Sequence, residues 1–174
     1  MYKRQVFNLL GPLTNPAGAN IQLTGVYSAN LTEPIAQVLA DLGSKAALVI
    51  HGASGTDELN PCGINKISHL INGQIRTYTM DPLDYGMPRA AISDLRGGTP
   101  DEAAQMMRDM LNGKLQDART DAVLLNAAAA IAAESQDMSA ALTESRHSIK
   151  SGAALAKLNS LIEFSQSFNQ PFIE

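Results

Sequence analysis

Residues 52–58 (GASGTDE) end on two adjacent carboxylates, Asp57 and Glu58. Carboxylate oxygens are hard ligands, and Mg2+ is commonly held by one or two of them together with substrate phosphates and water. The segment leaves an apolar run that ends at His51, and open α/β sheets bind ligands just beyond the carboxyl ends of their strands. A divalent-cation site and a solvated acidic loop both fit these residue types. His51 could act as an acid or base near neutral pH, but a histidine closing a strand is more simply one whose ring is satisfied by backbone. His69 and His147 have no partner close in sequence, and no two histidines share metal-ligand spacing. Gly97-Gly98-Thr99 could offer free backbone N–H groups to a phosphate. It is shorter than a Walker loop and lacks the Lys, and the capping-box sequence Thr99-Pro100-Asp101-Glu102 accounts for it as a helix start.

These residues must be positioned by strands and helices that the hydrophobic pattern locates. Residues 22–27 (QLTGVY) predict a short buried strand. Residues 32–42 predict a helix with Thr32 as N-cap, Pro34 in its first turn, and Ile35, Val38, Leu39 and Leu42 on one face. Gly43 closes that helix. Residues 45–52 (KAALVIHG) form a continuous apolar run that suits a strand covered on both faces. Strand, helix and strand with short connections make a right-handed βαβ unit. Residues 64–71 and 74–80 flank Asn72-Gly73, a strong hairpin signal because both turn residues tolerate positive φ. Residues 81–96 predict a loop. Helices follow from Thr99 to about Asn112, over 120–134 as an all-round apolar and therefore buried helix, over 138–150, and over 152–168 with Leu155, Leu158, Leu161 and Ile162 in one stripe. The fold class is α/β: a partial, mostly parallel sheet with a βαβ unit, a β-hairpin and a C-terminal set of helices.

The chain has 174 residues with 13 Lys+Arg against 17 Asp+Glu, a net charge of −4. That is one domain's length, enough to bury a core without disulfides. Mild acidity argues against a nucleic-acid or membrane-surface partner, which calls for a basic face. The single Cys62 supports neither an internal disulfide nor a Cys-based zinc site, and a reducing cytoplasm is the expected compartment. The apolar stretches around 122–125 and 127–133 are too short and too rich in Ala to span a bilayer.

Phe7-Asn8-Leu9-Leu10-Gly11-Pro12-Leu13-Thr14-Asn15-Pro16-Ala17 resembles the signature loop of the anthranilate phosphoribosyltransferases. The resemblance continues in order and spacing through Gly25-Val26-Tyr27, Val49-Ile50-His51-Gly52, Asp57-Glu58, Asn72-Gly73, Asp84-Tyr85-Gly86, Gly97-Gly98-Thr99 and Val123-Leu124-Leu125-Asn126-Ala127. It covers residues 4–162. It implies an enzyme of tryptophan biosynthesis in which the amine of anthranilate attacks the anomeric carbon of phosphoribosyl pyrophosphate as pyrophosphate leaves. It further implies Mg2+ as cofactor with Asp57 and Glu58 as its ligands. Arg4 falls at the position implied to bind the anthranilate carboxylate, which the planar guanidinium fork matches. A homodimer is implied as well, its contact mostly outside this chain.

Members of that family are about twice as long. Their N-terminal helical domain, Gly-Thr-Gly-Gly-Asp-Gly loop and Lys-His-Gly-Asn segment do not occur here. With GTG as first codon, Met1-Tyr2-Lys3-Arg4-Gln5 translates GTG-TAT-AAG-AGA-CAG, the transposon end used to tag sequencing libraries, and the family has Arg-Thr where this chain has Arg4-Gln5. Residues 1–5 are therefore expected to be adapter-derived, 6–168 an incomplete α/β phosphoribosyltransferase domain, and 169–174 a frayed tail. Such a piece is expected to be inactive alone. The alternatives are a related pyrimidine nucleoside phosphorylase and a short non-catalytic protein that binds a partner through its open sheet edge.

Overall fold

A computed structural model describes residues 11, 13, 14 and 17–168. Its four strands are β1 (Ile21–Gly25), β2 (Ala46–His51), β3 (Asn65–Ile71) and β4 (Gln74–Met80), and they lie side by side in that order. β1 and β2 are parallel, with Leu23 opposite Leu48. Helix α1 (Thr32–Asp41) makes the crossover between them, as the βαβ expectation required. β2–β3 and β3–β4 are antiparallel, so the sheet is mixed rather than mostly parallel. The reason lies in the connection. Residues 52–64 contain only the short 3-10 turn Ala53–Gly55, and a chain without a long crossover must return antiparallel. The β3–β4 hairpin turns at Asn72 (φ 49°) and Gly73 (φ 76°), both left-handed as a two-residue type I′ turn demands.

Because side chains alternate along a strand, β2 serves two cores. Ala47 and Val49 pack with Ile35, Ala36 and Leu39 of α1. Leu48 and Ile50 pack on the other face against Leu125, Ala128 and Ala129 of α3 (Ala118–Ser135). The helices α2 (Pro100–Leu111), α4 (Met138–Lys150) and α5 (Ala153–Ser167) complete the chain.

Four local expectations change. Thr32 is the first residue of α1 rather than its cap: the 3-10 turn Ala29–Leu31 leads into the helix, and the buried Thr32 hydroxyl donates to the Ala29 carbonyl (3.1 Å). Only Ile35 and Leu39 of the expected α1 stripe are buried, whereas Val38 is 37% and Leu42 60% exposed, since the sheet covers one narrow side of the helix. α3 begins earlier than its apolar run, because Asp117 caps it by accepting from the Arg119 (3.0 Å) and Thr120 (3.4 Å) N–H groups. Its outward residues Val123 and Ile131 stay exposed, so it is not buried all round. Finally, no residue of α5 is buried, and Leu161 is 61% exposed. α5 rests on α4 and touches α2, outside both core clusters, so its apolar stripe has little to cover it.

The helix start at Thr99 is as expected. The Thr99 N–H donates to the Glu102 carboxylate (2.7 Å) and the Glu102 N–H to the Thr99 hydroxyl (3.4 Å). Thr99→Ala is expected to cost about 1 kcal/mol of helix stability. Because α2 buries no residue, the loss should register as faster amide exchange in its first turn, with little change in global melting; unchanged exchange there would contradict the cap's role.

Candidate functional site

The two carboxylates stand on a loop pressed against the ends of β1 and β2. A β-carbon on Gly25 would lie 1.7 Å from the Asp57 carbonyl oxygen. One on Gly52 would lie 1.8 Å from the Glu58 carbonyl oxygen and 2.4 Å from the Thr56 hydroxyl. The backbone of the acidic pair thus occupies the volume that any larger residue would fill. Ser54 (φ 62°) and Gly55 (φ 82°) are left-handed and fold the loop back, so that the Gly52 N–H donates to the Thr56 carbonyl (2.9 Å).

Three asparagines, none singled out from the sequence as a site residue, hold this loop. Asn60 donates from Nδ2 to the Ala53 carbonyl (3.0 Å) and the Thr56 hydroxyl (2.7 Å). Asn65, fully buried, accepts from the Ala53 (3.2 Å) and Asn60 (3.1 Å) N–H groups. It also donates to the Asn60 and Gly63 carbonyls, both at 3.1 Å. Asn126 on α3 pairs with the backbone of Leu59, accepting its N–H (3.0 Å) and donating to its carbonyl (2.8 Å). A signal existed for Asn126: an amide inside an otherwise apolar helical run needs a buried polar partner. Asn60 sits in loop-like sequence, and Asn65 opens the first hairpin strand, where a polar residue carries no such contrast.

Asp57 and Glu58 are both exposed on the rim of a cavity of about 540 Å3, which Arg119, Asn126 and the side chains of Leu23, Met106 and Val123 also line. The Arg119 guanidinium bonds Asp117 through Nε (3.0 Å) and holds the Asp117 carboxyl below the usual carboxylate range. Among the described residues no group of three or more His, Cys, Asp or Glu side chains could enclose a metal. The acidic pair therefore offers part of a coordination shell, which suits Mg2+, an ion that keeps waters and phosphate oxygens as its remaining ligands.

His51 lies at the end of β2, and its Nδ1–H donates to the Val26 carbonyl (2.8 Å), the backbone-satisfied role expected of it. His69 Nε2–H likewise donates to the Ala133 carbonyl (2.8 Å). His147 is exposed on α4. Gly97-Gly98-Thr99 presents its Thr99 N–H to Glu102, which occupies the place of an external anion. Arg4, residues 1–5, most of the loop over 7–16, and residues 169–174 lie outside the described residues.

The carboxylate pair thus stands at the carboxyl ends of the parallel strand pair of an α/β domain. The chain belongs to the family described as "Glycosyl transferase family, a/b domain", which matches residues 2–155. It is 50% identical over 169 residues to the anthranilate phosphoribosyltransferase of Moorella thermoacetica, a match covering 95% of this chain and 49% of that protein. With the anthranilate phosphoribosyltransferase of Nitrosomonas europaea it is 45% identical, over 93% of this chain and 48% of that protein. Among solved structures, the Thermus thermophilus anthranilate phosphoribosyltransferase superposes with a TM-score of 0.82 at 37% identity, covering 91% of this chain and 47% of that one. The Saccharomyces cerevisiae enzyme in complex with PRPP and Mg gives 0.81 at 25% identity, over 93% of this chain and 47% of that one. The chain spans about half the length of the curated relatives it matches. No helix among the described residues is long and apolar enough to cross a membrane.

Proposed function

We propose that this chain supplies the Mg2+-binding part of an anthranilate phosphoribosyltransferase, with Asp57 and Glu58 as the metal's protein ligands. The observation that carries the reading is the close seating of the Asp57–Glu58 backbone on Gly25 and Gly52, which sets the stretch bearing two carboxylates at the carboxyl ends of the parallel strands. Mg2+ bound there neutralises charge on the pyrophosphate leaving group, the Lewis-acid role of a metal in phosphate chemistry. The protein's part is placement. The Asn60, Asn65 and Asn126 bonds hold the loop's backbone, so only the two exposed side chains are left to order when the ion arrives, and pre-organisation of the backbone lowers the cost of binding. The exposed position of both acids leaves room for phosphate oxygens and water in the rest of the shell. Arg4, although within the stretch read as adapter-derived, stands where an arginine for the carboxylate of anthranilate is implied. The names of the relatives support the transferase over a nucleoside phosphorylase or a partner-binding protein, and the yeast complex with PRPP and Mg supports both the substrate and the ion. We place the complete enzyme in the cytoplasm as a homodimer whose contact lies mainly beyond residues 1–174.

The test is a chimera in which this chain replaces the matching 169 residues of the Moorella thermoacetica relative. It should consume anthranilate, followed by its fluorescence, when PRPP and Mg2+ are supplied. Asp57→Asn or Glu58→Gln in the chimera should lower kcat/KM on the order of 10²-fold or more, since a bound cation contributes several kcal/mol of charge stabilisation and about 1.4 kcal/mol is a factor of ten. Equal activity in the two variants and the parent would refute the assignment. The chain by itself is expected to give no fluorescence loss above a protein-free control, because half the relatives' length is needed to complete the site.

A further inference from the structure

The β3–β4 hairpin borders a second concavity, on the side of the sheet that α3 and α4 cover. Arg76 lies opposite His69 in the β3–β4 register, and the His69 ring bonds to the Ala133 carbonyl of α3. Arg76, and Tyr78 two residues on, therefore stand on that side. The α3–α4 junction supplies the facing wall. Arg76, Tyr78, Tyr85, Gln136, Asp137 and Met138 line a cavity of about 770 Å3, a size typical of small-molecule sites. It shares no lining residue with the cavity beside Asp57 and Glu58.

The fold leaves polar groups unused there. The Arg76 guanidinium lies 5.9 Å from the centre of the Tyr78 ring and has no carboxylate in ion-pair reach among the described residues. The Gln136 amide and the Tyr78 and Tyr85 hydroxyls bond to no other described residue. Asp137 caps α4 with one carboxylate oxygen, which accepts from the Ala140 N–H (2.9 Å), and the other oxygen is left. These groups follow an order. Burial pushes the Tyr78 hydroxyl up, with Tyr85 adding and Arg76 opposing. Burial, followed by Asp84 and Asp137, pushes the Tyr85 hydroxyl up. Both hydroxyls stay protonated at neutral pH, and the two rings lie between the cation and the acid. Gln136 also holds φ 60°, the left-handed region that favours glycine. The chain keeps an amide where a bare backbone would sit more easily, and outliers of this kind mark functional positions.

We infer that this cavity binds an adenine mononucleotide, independently of the transferase reading. The phosphate pairs with the planar fork of Arg76, and the base lies against the Tyr78 and Tyr85 rings. Its amino edge meets Gln136 and Asp137 at the far end. A side-chain amide matches the amino group and adjacent ring nitrogen of adenine, and the remaining Asp137 oxygen accepts the second amino hydrogen. The net charge of −4 disfavours a nucleic-acid polymer, so the ligand is the free nucleotide.

The experiment titrates this chain with AMP and follows its backbone amide shifts. Saturable one-to-one binding is expected, with shifts at Arg76, Tyr78 and Gln136 and none at Asp57 or Glu58. Adenosine and ribose 5-phosphate each lack one end and should bind about tenfold or more weakly than AMP. GMP should also bind more weakly, because its base turns a carbonyl oxygen toward Asp137. Arg76→Met should weaken AMP by about tenfold or more, the loss of a charge-assisted bond. Lys157→Met, exposed on α5, should leave the affinity unchanged. Asp137→Asn keeps the helix cap but turns an N–H toward the base, and should weaken AMP by about threefold or more. Gln136→Gly separates binding from folding: it should melt at or above the parent, since glycine suits the left-handed position, and still bind AMP about threefold or more weakly. Absence of saturable binding, shifts confined to the Asp57–Glu58 loop, ribose 5-phosphate bound as tightly as AMP, or equal affinities of Arg76→Met and the parent would overturn the inference.

Discussion

Gly52→Ala is expected to lower the melting temperature by about 6–12 °C. The added methyl would stand 1.8 Å from the Glu58 carbonyl oxygen and 2.4 Å from the Thr56 hydroxyl, and neither is the free end of a flexible chain. Glu58 is tied by its carbonyl to both the Thr56 hydroxyl (2.9 Å) and Asn60 Nδ2 (3.2 Å), so the loop cannot shift without losing those bonds. Overpacking of this kind costs about 3 kcal/mol, and a domain of this size loses about 2–4 °C per kcal/mol. Backbone strain is not the cause, since Gly52 has φ −77° and ψ 160°, which alanine adopts freely. Gly97→Ala, where the new methyl meets nothing within 4 Å, is the control and should melt with the parent. In the chimera, Gly52→Ala should also raise the Mg2+ concentration needed for half-maximal rate, because the displaced backbone carries both carboxylates. A Gly52→Ala protein that melts with the parent would show that the loop is not seated on the strand ends.

Asn65→Leu is expected to be nearly as damaging, for the opposite reason. The new side chain is about the same size, so no clash arises, but four hydrogen bonds vanish together. The Ala53 and Asn60 N–H groups and the Asn60 and Gly63 carbonyls lose their partner. An unsatisfied buried polar group costs about 1–3 kcal/mol. Part of the loop can turn its groups to water, so the net loss should be about 3–5 kcal/mol, read as a fall in the denaturation midpoint. Asn20→Leu, at an exposed position, should stay within about 0.5 kcal/mol of the parent. If the two variants were equally stable, the asparagine network would not be what holds the acidic loop.

Much of this architecture is legible along the chain because the signals are local. The continuous apolar run of β2, the Asn72-Gly73 turn and the Thr99 capping box each depend on neighbours within a few residues, and each stands where the pattern places it. Gly43 ends α1 in the left-handed region (φ 85°) for the same kind of reason. What fails are inferences about which side of a helix meets the core. Val38, Leu42 and Leu161 are apolar and correctly spaced, but spacing states only that a stripe exists. Whether another element covers it depends on packing between segments far apart in sequence.

The candidate site divides along the same line. Sequence alone singled out Asp57 and Glu58, because two hard oxygen ligands at a strand's carboxyl end is a statement about residue type and local order. It also set His51 aside as a backbone-bonded residue, and the Val26 carbonyl is the partner it needed. Only the tertiary structure decided that the acidic loop is held by Asn60, Asn65 and Asn126, the last of them 67 residues from its Leu59 partner. Only it decided that Gly25 and Gly52 are glycines because carbonyls lie where their β-carbons would be, and that the sheet turns antiparallel after β2. Hydrogen bonds and steric contacts between distant segments are set by how layers stack, and stacking has no periodicity that a single chain can display.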